Sequence, residues 1–455
     1  MSLHPRACPP SFEQTRDGRH LLVWGELAQW MVVDGELRDF LRRLDGRRAP
    51  REAVREHARR WKRPVEQVAR DVLGVLDDLS RRGIVGEPPP LAPEPLSIAN
   101  VTLNLTNRCN LRCPWCYNAG RASPEAPIEA LMDALEAARG LVEPDATFIV
   151  LGGEPLLAPE RLLTALRRAE AIFTGPALVS TNGTLLREPL LEGLAERRVE
   201  VQVSIDSPDP ARHDAGRGPG VHAQALGAVE RLAKSGLRTI VSMVYARDSL
   251  DEIEPFLDMA ANAGAHEARL IPLRGVGGGR EHAARRPDQL EVLERLLEIL
   301  ERRPELRGLL GRDYFSILMA ICRASGRRTG CGIARRVVML DADGEVYPCP
   351  NHARPEHRCG SVLAMPLERI FRESPVLAGM RETYRVEKIQ ACRDCAFRHW
   401  CAGDCRGESL AVSGIPTSPS PHCAALRQVF PKLLWLLAEG DARLQSAAGA
   451  PRAFV

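Results

Sequence analysis

The chain has 455 residues, 44% of them hydrophobic and 27% charged, with 62 basic against 59 acidic side chains and a net charge of +3. That length calls for two or three domains, and the near balance of charge excludes a strong field for nucleic acid or a membrane surface. With no N-terminal apolar signal segment and no apolar run of about 18 residues, the expectation is a cytoplasmic protein. In that reducing compartment its 13 cysteines serve metal binding or catalysis rather than disulfides.

In chain order, short strands are predicted at Arg19 to Trp24 and Gln29 to Val33, followed by helices near Glu36 to Leu44, Arg51 to Trp61 and Val65 to Arg82. A hairpin and three helices make a winged-helix layout for residues 1–92. The stretch Gly86 to Ser97 is dense in proline and reads as a semi-rigid linker expected to isolate two cores. Beyond it, strand and helix alternate. Strands are predicted at Val101 to Leu105, Phe148 to Leu151, Ala177 to Thr181, Glu200 to Asp206, Thr239 to Tyr245 and Ala268 to Leu273. Helices fall between them at Ile128 to Arg139, Arg161 to Ala171, Pro189 to Arg198, His222 to Lys234 and Leu250 to Ala263. Six βα units in series predict an α/β fold for residues 98–310, a parallel sheet curled into a partial TIM-like (β/α)6 barrel with its active site at the C-terminal strand ends.

The informative motif is Cys109-x3-Cys113-x2-Cys116, directly after the first barrel strand. Three thiolates can hold a cubane iron-sulfur cluster and leave its fourth iron free to chelate a small molecule. A zinc knuckle is the bland alternative, but tetrahedral zinc wants a fourth ligand and none lies nearby in sequence. Further polar and glycine sites fall at the same strand ends: Gly152-Gly153-Glu154-Pro155, Ser180-Thr181-Asn182-Gly183, Ser204-Ile205-Asp206 and Ile271-Pro272.

In these residues the chain resembles the radical S-adenosylmethionine enzymes. The resemblance implies that the open iron binds the methionine amino and carboxylate groups, and that an electron from the cluster breaks the sulfonium bond to release a 5'-deoxyadenosyl radical. It further implies that Gly152, Gly153, Glu154 and Pro155 serve the methionine amino group and that Ser180, Asn182 and Ser204 serve the ribose. The same resemblance implies that Arg217, on the loop after the fourth strand, pairs with the carboxylate. Asp206 serves the ribose or the substrate, and Tyr117 the adenine.

A second cysteine series reads Cys331-x12-Gly344-x4-Cys349, then Cys392-x2-Cys395-x5-Cys401-x3-Cys405, then Cys423. Its central part alone could be a zinc ribbon. Placed after a radical barrel, the series resembles the SPASM extension, expected over residues 320–430 and followed by a tail at 431–455. The resemblance implies two auxiliary iron-sulfur clusters, the first on Cys331, Cys349 and Cys405, the second on Cys392, Cys395, Cys401 and Cys423. The first then needs a fourth ligand from Cys359 or Cys322, or stays open to a substrate thiolate. Cys8 has no assigned role. Pro350 stands where sulfatase-maturing relatives carry an aspartate, which argues against formylglycine formation.

Residues 1–92 resemble the small peptide-binding domain of pyrroloquinoline quinone biosynthesis, the PqqD-like recognition element of enzymes that modify ribosomally made peptides. The likeness rests on Gln29 to Val33, Leu44-Asp45-Gly46 and Leu79 to Val85. It implies capture of a leader peptide as an added strand. A DNA-reading winged helix is the competing possibility, but its third helix sets Glu66, Asp71, Asp77 and Asp78 against Arg70, Arg81 and Arg82, a poor face for phosphates.

The expected activity is oxidative modification of a precursor peptide, a thioether cross-link first and a carbon-carbon or carbon-oxygen one second. The cofactors are S-adenosylmethionine, the radical cluster and two auxiliary clusters, and the electron donor is of flavodoxin or ferredoxin type. The alternatives are peptide epimerisation and a non-catalytic iron-sulfur sensor that acts through the winged helix.

Overall fold

The computed structural model describes residues 4–91, 94–310, 321 and 327–444. It opens with a three-stranded antiparallel sheet, β1 (Phe12–Arg16), β2 (Arg19–Trp24) and β3 (Gln29–Val33), in spatial order β1-β2-β3. Helices α1 (Gly35–Arg43), α2 (Pro50–Trp61) and α3 (Val65–Arg81) follow close to their predicted limits. Asp34 starts α1 by accepting the Leu37 amide at 2.7 Å. Strand β1 was not anticipated, because Phe12 is its one apolar residue. Its pairing comes from the Asp17-Gly18 turn, whose two positive φ values of 50° and 73° match the twist of a tight hairpin.

The expectation that the linker isolates two cores is corrected by β2. Its Leu22 and Trp24 pack on the domain's own helices, while Leu21 and Val23 on the opposite face belong to the main core of the chain. A strand buried on both faces reads as the unbroken apolar run Leu21 to Trp24 rather than as alternation. The cover on the far face is the C-terminal helix Cys423–Ala438, where Trp435 donates its indole N–H to Gln14 at 2.9 Å and lies under the Arg19 guanidinium. Phe12 meets Phe397 at 5.3 Å between ring centres, and Glu26 pairs with Arg398. The predicted boundary at residue 431 therefore falls inside one continuous helix, and its second half is a structural clasp rather than a tail.

The barrel strands are β4 (Ile98–Asn104), β5 (Val142–Leu151), β6 (Ala177–Thr181), β7 (Val199–Ser204), β8 (Arg238–Tyr245) and β9 (Glu267–Pro272), all parallel in sequence order. The intervening helices are α4 (Ile128–Ala137), α5 (Pro159–Ile172), α6 (Glu188–Ala195), α7 (Pro210–Arg217), α8 (Val221–Lys234) and α9 (Ile253–Asn262). Beyond β9 comes α10 (Gln289–Arg302). Apolar residues such as Val101, Leu103, Val150, Val201 and Val241 are fully or almost fully buried, as strands covered on both faces require.

Three further strands extend the sheet beyond the barrel. β10 (Val337–Leu340) runs parallel to β4, and β11 (Glu345–Tyr347) and β12 (Gly360–Ser361) follow antiparallel, giving a nine-stranded order β12-β11-β10-β4-β5-β6-β7-β8-β9. The cysteine-rich region thus begins as the edge of the barrel sheet. Among the described residues no helix is long and apolar enough to cross a membrane.

Candidate active site at the barrel mouth

The loop after β4 carries Cys109, Cys113 and Cys116, and backbone contacts fix it on two sides. On one side the Gly153 amide donates to the Thr106 carbonyl at 2.6 Å and the Glu154 amide to the Arg108 carbonyl at 2.8 Å. The approach demands glycine: a Cβ on Gly152 would lie 2.4 Å from the Thr106 oxygen, and one on Gly153 2.0 Å from the Arg108 oxygen. On the other side the Gly278 amide donates to the Cys116 carbonyl at 2.9 Å, and a Cβ on Gly278 would lie 2.2 Å from the Pro114 oxygen. Sequence reasoning stopped at Ile271-Pro272 and missed this strap, although the run Gly277-Gly278-Gly279 was its signal.

Desolvation raises the thiols of all three cysteines, each feels at least one of the other two, and the nearby Arg217 guanidinium opposes the rise. Three mutually coupled thiols facing a cation fit a thiolate-bound cluster, because iron displaces their protons. The sulfurs are neighbours without being gathered at one point. Among the described residues no three histidine, cysteine or carboxylate side chains converge tightly enough to hold a metal ion.

Arg217 ends α7 instead of lying on a loop, because Asp209 and Pro210 start a helix there, with the Asp209 side chain accepting the Ala211 amide at 2.9 Å. Its Nε donates to Asp206 at 2.6 Å. Asp206 is buried and accepts also from the Trp115 indole at 3.1 Å and the Val244 amide at 3.0 Å. Trp115, between two of the cysteines, lies so close to Gly216 that a Cβ there would come within 2.4 Å of the ring.

Glu154 is buried, with one carboxylate oxygen accepting the Leu156 amide at 3.0 Å and the Thr181 hydroxyl at 2.6 Å, and the other accepting the Asn182 amide at 2.7 Å. Burial pushes its carboxyl up while these donors hold it charged. The carboxylate therefore bolts the end of β5 to the end of β6. Pro155 opens the buried turn Pro155–Leu157. Tyr117 reaches the Gly152 carbonyl at 3.4 Å. Asn182 donates to Asn110 at 3.0 Å, tying the β6 end to the residue after Cys109. Ser180 accepts from Gln202 at 3.3 Å, and Ser204 is half-buried at the end of β7.

A cavity of about 580 Å³ lies beside the barrel sheet, bounded by β9 residues and by Cys331, Cys349 and Cys405. Desolvation pushes Cys349 far up, and it feels both of the others. Cys331 is the exposed member, facing the cavity it lines, and the cavity walls still raise its thiol. Cys392, Cys395, Cys401 and Cys423 line a smaller, adjoining pocket together with Phe397 and Phe430, with Cys401 and Phe430 shared between the two. Between the two sets the backbone at Ala402, Gly403 and Asp404 holds three successive positive φ values of 53°, 77° and 54°, a strained turn of the kind that persists where surrounding structure fixes it.

Of the proposed fourth ligands, Cys359 is excluded by position: burial pushes its thiol up to about 12, its electrostatic neighbours are Ser374, Arg381 and Glu345, and it does not line the cavity. Cys322 lies outside the described residues. Cys8 approaches the Gly83 carbonyl inside the N-terminal domain.

Residues 103–260 match the Radical SAM superfamily, and residues 331–396 match an iron-sulfur cluster-binding domain named SPASM. The chain is 29% identical to the PqqA peptide cyclase of Streptomyces rochei over 71% of its length and 89% of that protein. It is 29% identical to the mycofactocin maturase MftC of Mycobacterium ulcerans over 71% of this chain and 87% of the other. In fold it is similar to Streptococcus suis SuiB bound to its precursor peptide SuiA, with a TM-score of 0.59 at 13% identity, covering 93% of this chain and 99% of SuiB. It is also similar in fold to anSMEcpe with bound AdoMet, at a TM-score of 0.60 and 17% identity, over 76% and 99% of the two chains. The α/β barrel with its cysteine-rich extension is therefore that of a radical S-adenosylmethionine enzyme, which uses S-adenosylmethionine and iron-sulfur clusters as cofactors.

Proposed function

We propose that this enzyme modifies a ribosomally synthesised precursor peptide by forming an intramolecular cross-link, a thioether first and a carbon-carbon or carbon-oxygen bond second. The observation that carries the reading is the cavity beside the barrel, large enough for a peptide side chain and lined by Cys331, Cys349 and Cys405 together with Cys401 of the other set, while Cys359 is not among its lining residues. With Cys401 assigned to the second set, the three remaining thiolates leave room for an acceptor thiol or for electron uptake at that position. Epimerisation has no comparable use for it.

In this reading Cys109, Cys113 and Cys116 hold the radical cluster, which with bound S-adenosylmethionine supplies the hydrogen-abstracting 5'-deoxyadenosyl radical. The carbonyls of Gly152 and Gly153 accept the methionine amino group. Asp206 commits the Nε of Arg217 and aims its Nη groups at the carboxylate. Ser180, Asn182 and Ser204 take the ribose and Tyr117 the adenine. Cys331, Cys349 and Cys405 hold one auxiliary cluster, and Cys392, Cys395, Cys401 and Cys423 the other.

Residues 1–92 recognise the leader peptide. Support comes from β3, which is an edge strand and can accept one more strand in register. A flavodoxin- or ferredoxin-type protein supplies the electron. The test incubates the reconstituted enzyme, S-adenosylmethionine and a reductant with short precursor peptides encoded beside its gene. Mass spectrometry should find peptide lighter by two hydrogens per link. Deuterium from solvent incorporated without mass loss to a cross-link would instead favour epimerisation.

A further inference from the structure

Arg406 is among the largest fully buried side chains, only 1% exposed, and sits directly after Cys405. Its hydrogen-bond acceptors are all neutral. One Nη donates to the carbonyls of Ser418 at 2.7 Å and Pro416 at 3.4 Å, and the other to the Gly403 carbonyl and to the Ser409 hydroxyl at 2.8 Å. Nε has no partner. Among the described residues no carboxylate pairs with it, because the acids nearby in sequence are committed elsewhere. Glu408 holds Arg274 at 2.8 Å, the Gly275 amide at 3.2 Å and His422 at 3.3 Å, and Asp404 accepts the Ser420 hydroxyl.

A guanidinium cannot shed its proton, so burying one without an anion is costly and calls for negative charge within reach. What lies beside it is the turn joining the two thiol sets: Cys405 of the first is its chain neighbour, and the Gly403 carbonyl it holds lies two residues from Cys401 of the second. Gly403, inside the turn joining Cys401 to Cys405, packs so that a Cβ would lie 3.5 Å from the Arg406 Nε.

We propose that Arg406 is the shared countercharge of the two auxiliary clusters, holding the reduction potentials of both above the values their thiolates alone would set. The inference rests on the cluster assignment proposed above. Net charge and nearby donors tune such potentials, and a fixed cation favours the more negative, reduced form.

The experiment uses the full chain with Cys109, Cys113 and Cys116 changed to Ala, reconstituted anaerobically so that only the auxiliary clusters give signals. Arg406→Gln and Arg406→Lys are compared by iron content and by redox titration followed by electron paramagnetic resonance. Arg406→Gln should keep its iron and shift both midpoint potentials negative, with Arg406→Lys closer to the parent. If Arg406→Gln loses iron, full iron in Arg406→Lys is the expected companion result. Unmoved potentials in iron-replete Arg406→Gln, a shift at one cluster alone, or iron loss in both variants would overturn the role. A parent protein without iron at these sets would instead overturn the cluster assignment, a failure visible before Arg406 is changed.

Discussion

Oδ2 of Asp206 accepts both the Arg217 Nε at 2.6 Å and the Trp115 indole at 3.1 Å, so one buried carboxylate anchors the cysteine loop and the arginine that faces it. Asp206→Asn keeps the shape but removes the charge that pins Arg217. Losing a charge-assisted hydrogen bond costs about 1.5–3 kcal/mol, so affinity for S-adenosylmethionine should fall about tenfold or more. Equilibrium binding to the reconstituted enzyme reads this directly, and iron content should stay at the parent level.

Gly278→Ala is expected to be worse for the cluster than for the fold. The added methyl would meet the Pro114 carbonyl, backbone that cannot swing aside, and would push the loop of Cys113 and Cys116. Iron bound by the radical triad should drop while the auxiliary iron is retained, as measured by metal analysis beside a variant lacking the auxiliary cysteines.

Deleting residues 1–92 strips the cover from Phe397, which lines the pocket of the second auxiliary set, and from Trp435. The truncated chain should therefore lose iron at Cys392, Cys395, Cys401 and Cys423 as well as peptide recognition. Phe12→Ala is the milder probe, lowering stability by about 1–2 kcal/mol, roughly half the worth of a fully buried phenylalanine. Denaturant titration checks it.

The pair of Glu408 and Arg274 yields a pH prediction. Despite the desolvation that burial imposes, hydrogen bonding to His422 and the charge of Arg274 hold the Glu408 carboxyl down at about 2. Because the folded value lies below the unfolded one of about 4.3, its stabilisation is fully present above that value and is lost as pH falls toward the folded value. Glu408→Gln should cost about 3 kcal/mol near pH 5, with the gap from the parent closing below about pH 4.3. Denaturation midpoints across that range are the measurement.

The barrel was legible because the parallel strands are apolar runs, and the first four end in glycine or polar residues that mark the mouth. The cysteine spacing located the cluster loop for the same local reason. What eluded sequence reasoning depends on contacts distant in the chain. Leu21 and Val23 look like ordinary strand residues until the helix Cys423–Ala438 is laid on them. Nothing local announces that Glu154 will hold Thr181 and Asn182, or that Asp206 will hold Trp115 and Arg217. Arg406 was invisible because burial without a counterion is a property of the fold alone.

The most direct test of the account is 5'-deoxyadenosine formation after chemical reduction, compared between the parent enzyme and the variant with Cys109, Cys113 and Cys116 all changed to Ala. The account predicts that the parent forms the nucleoside and that the variant forms none while keeping its auxiliary iron. Equal yields from the two proteins would contradict it.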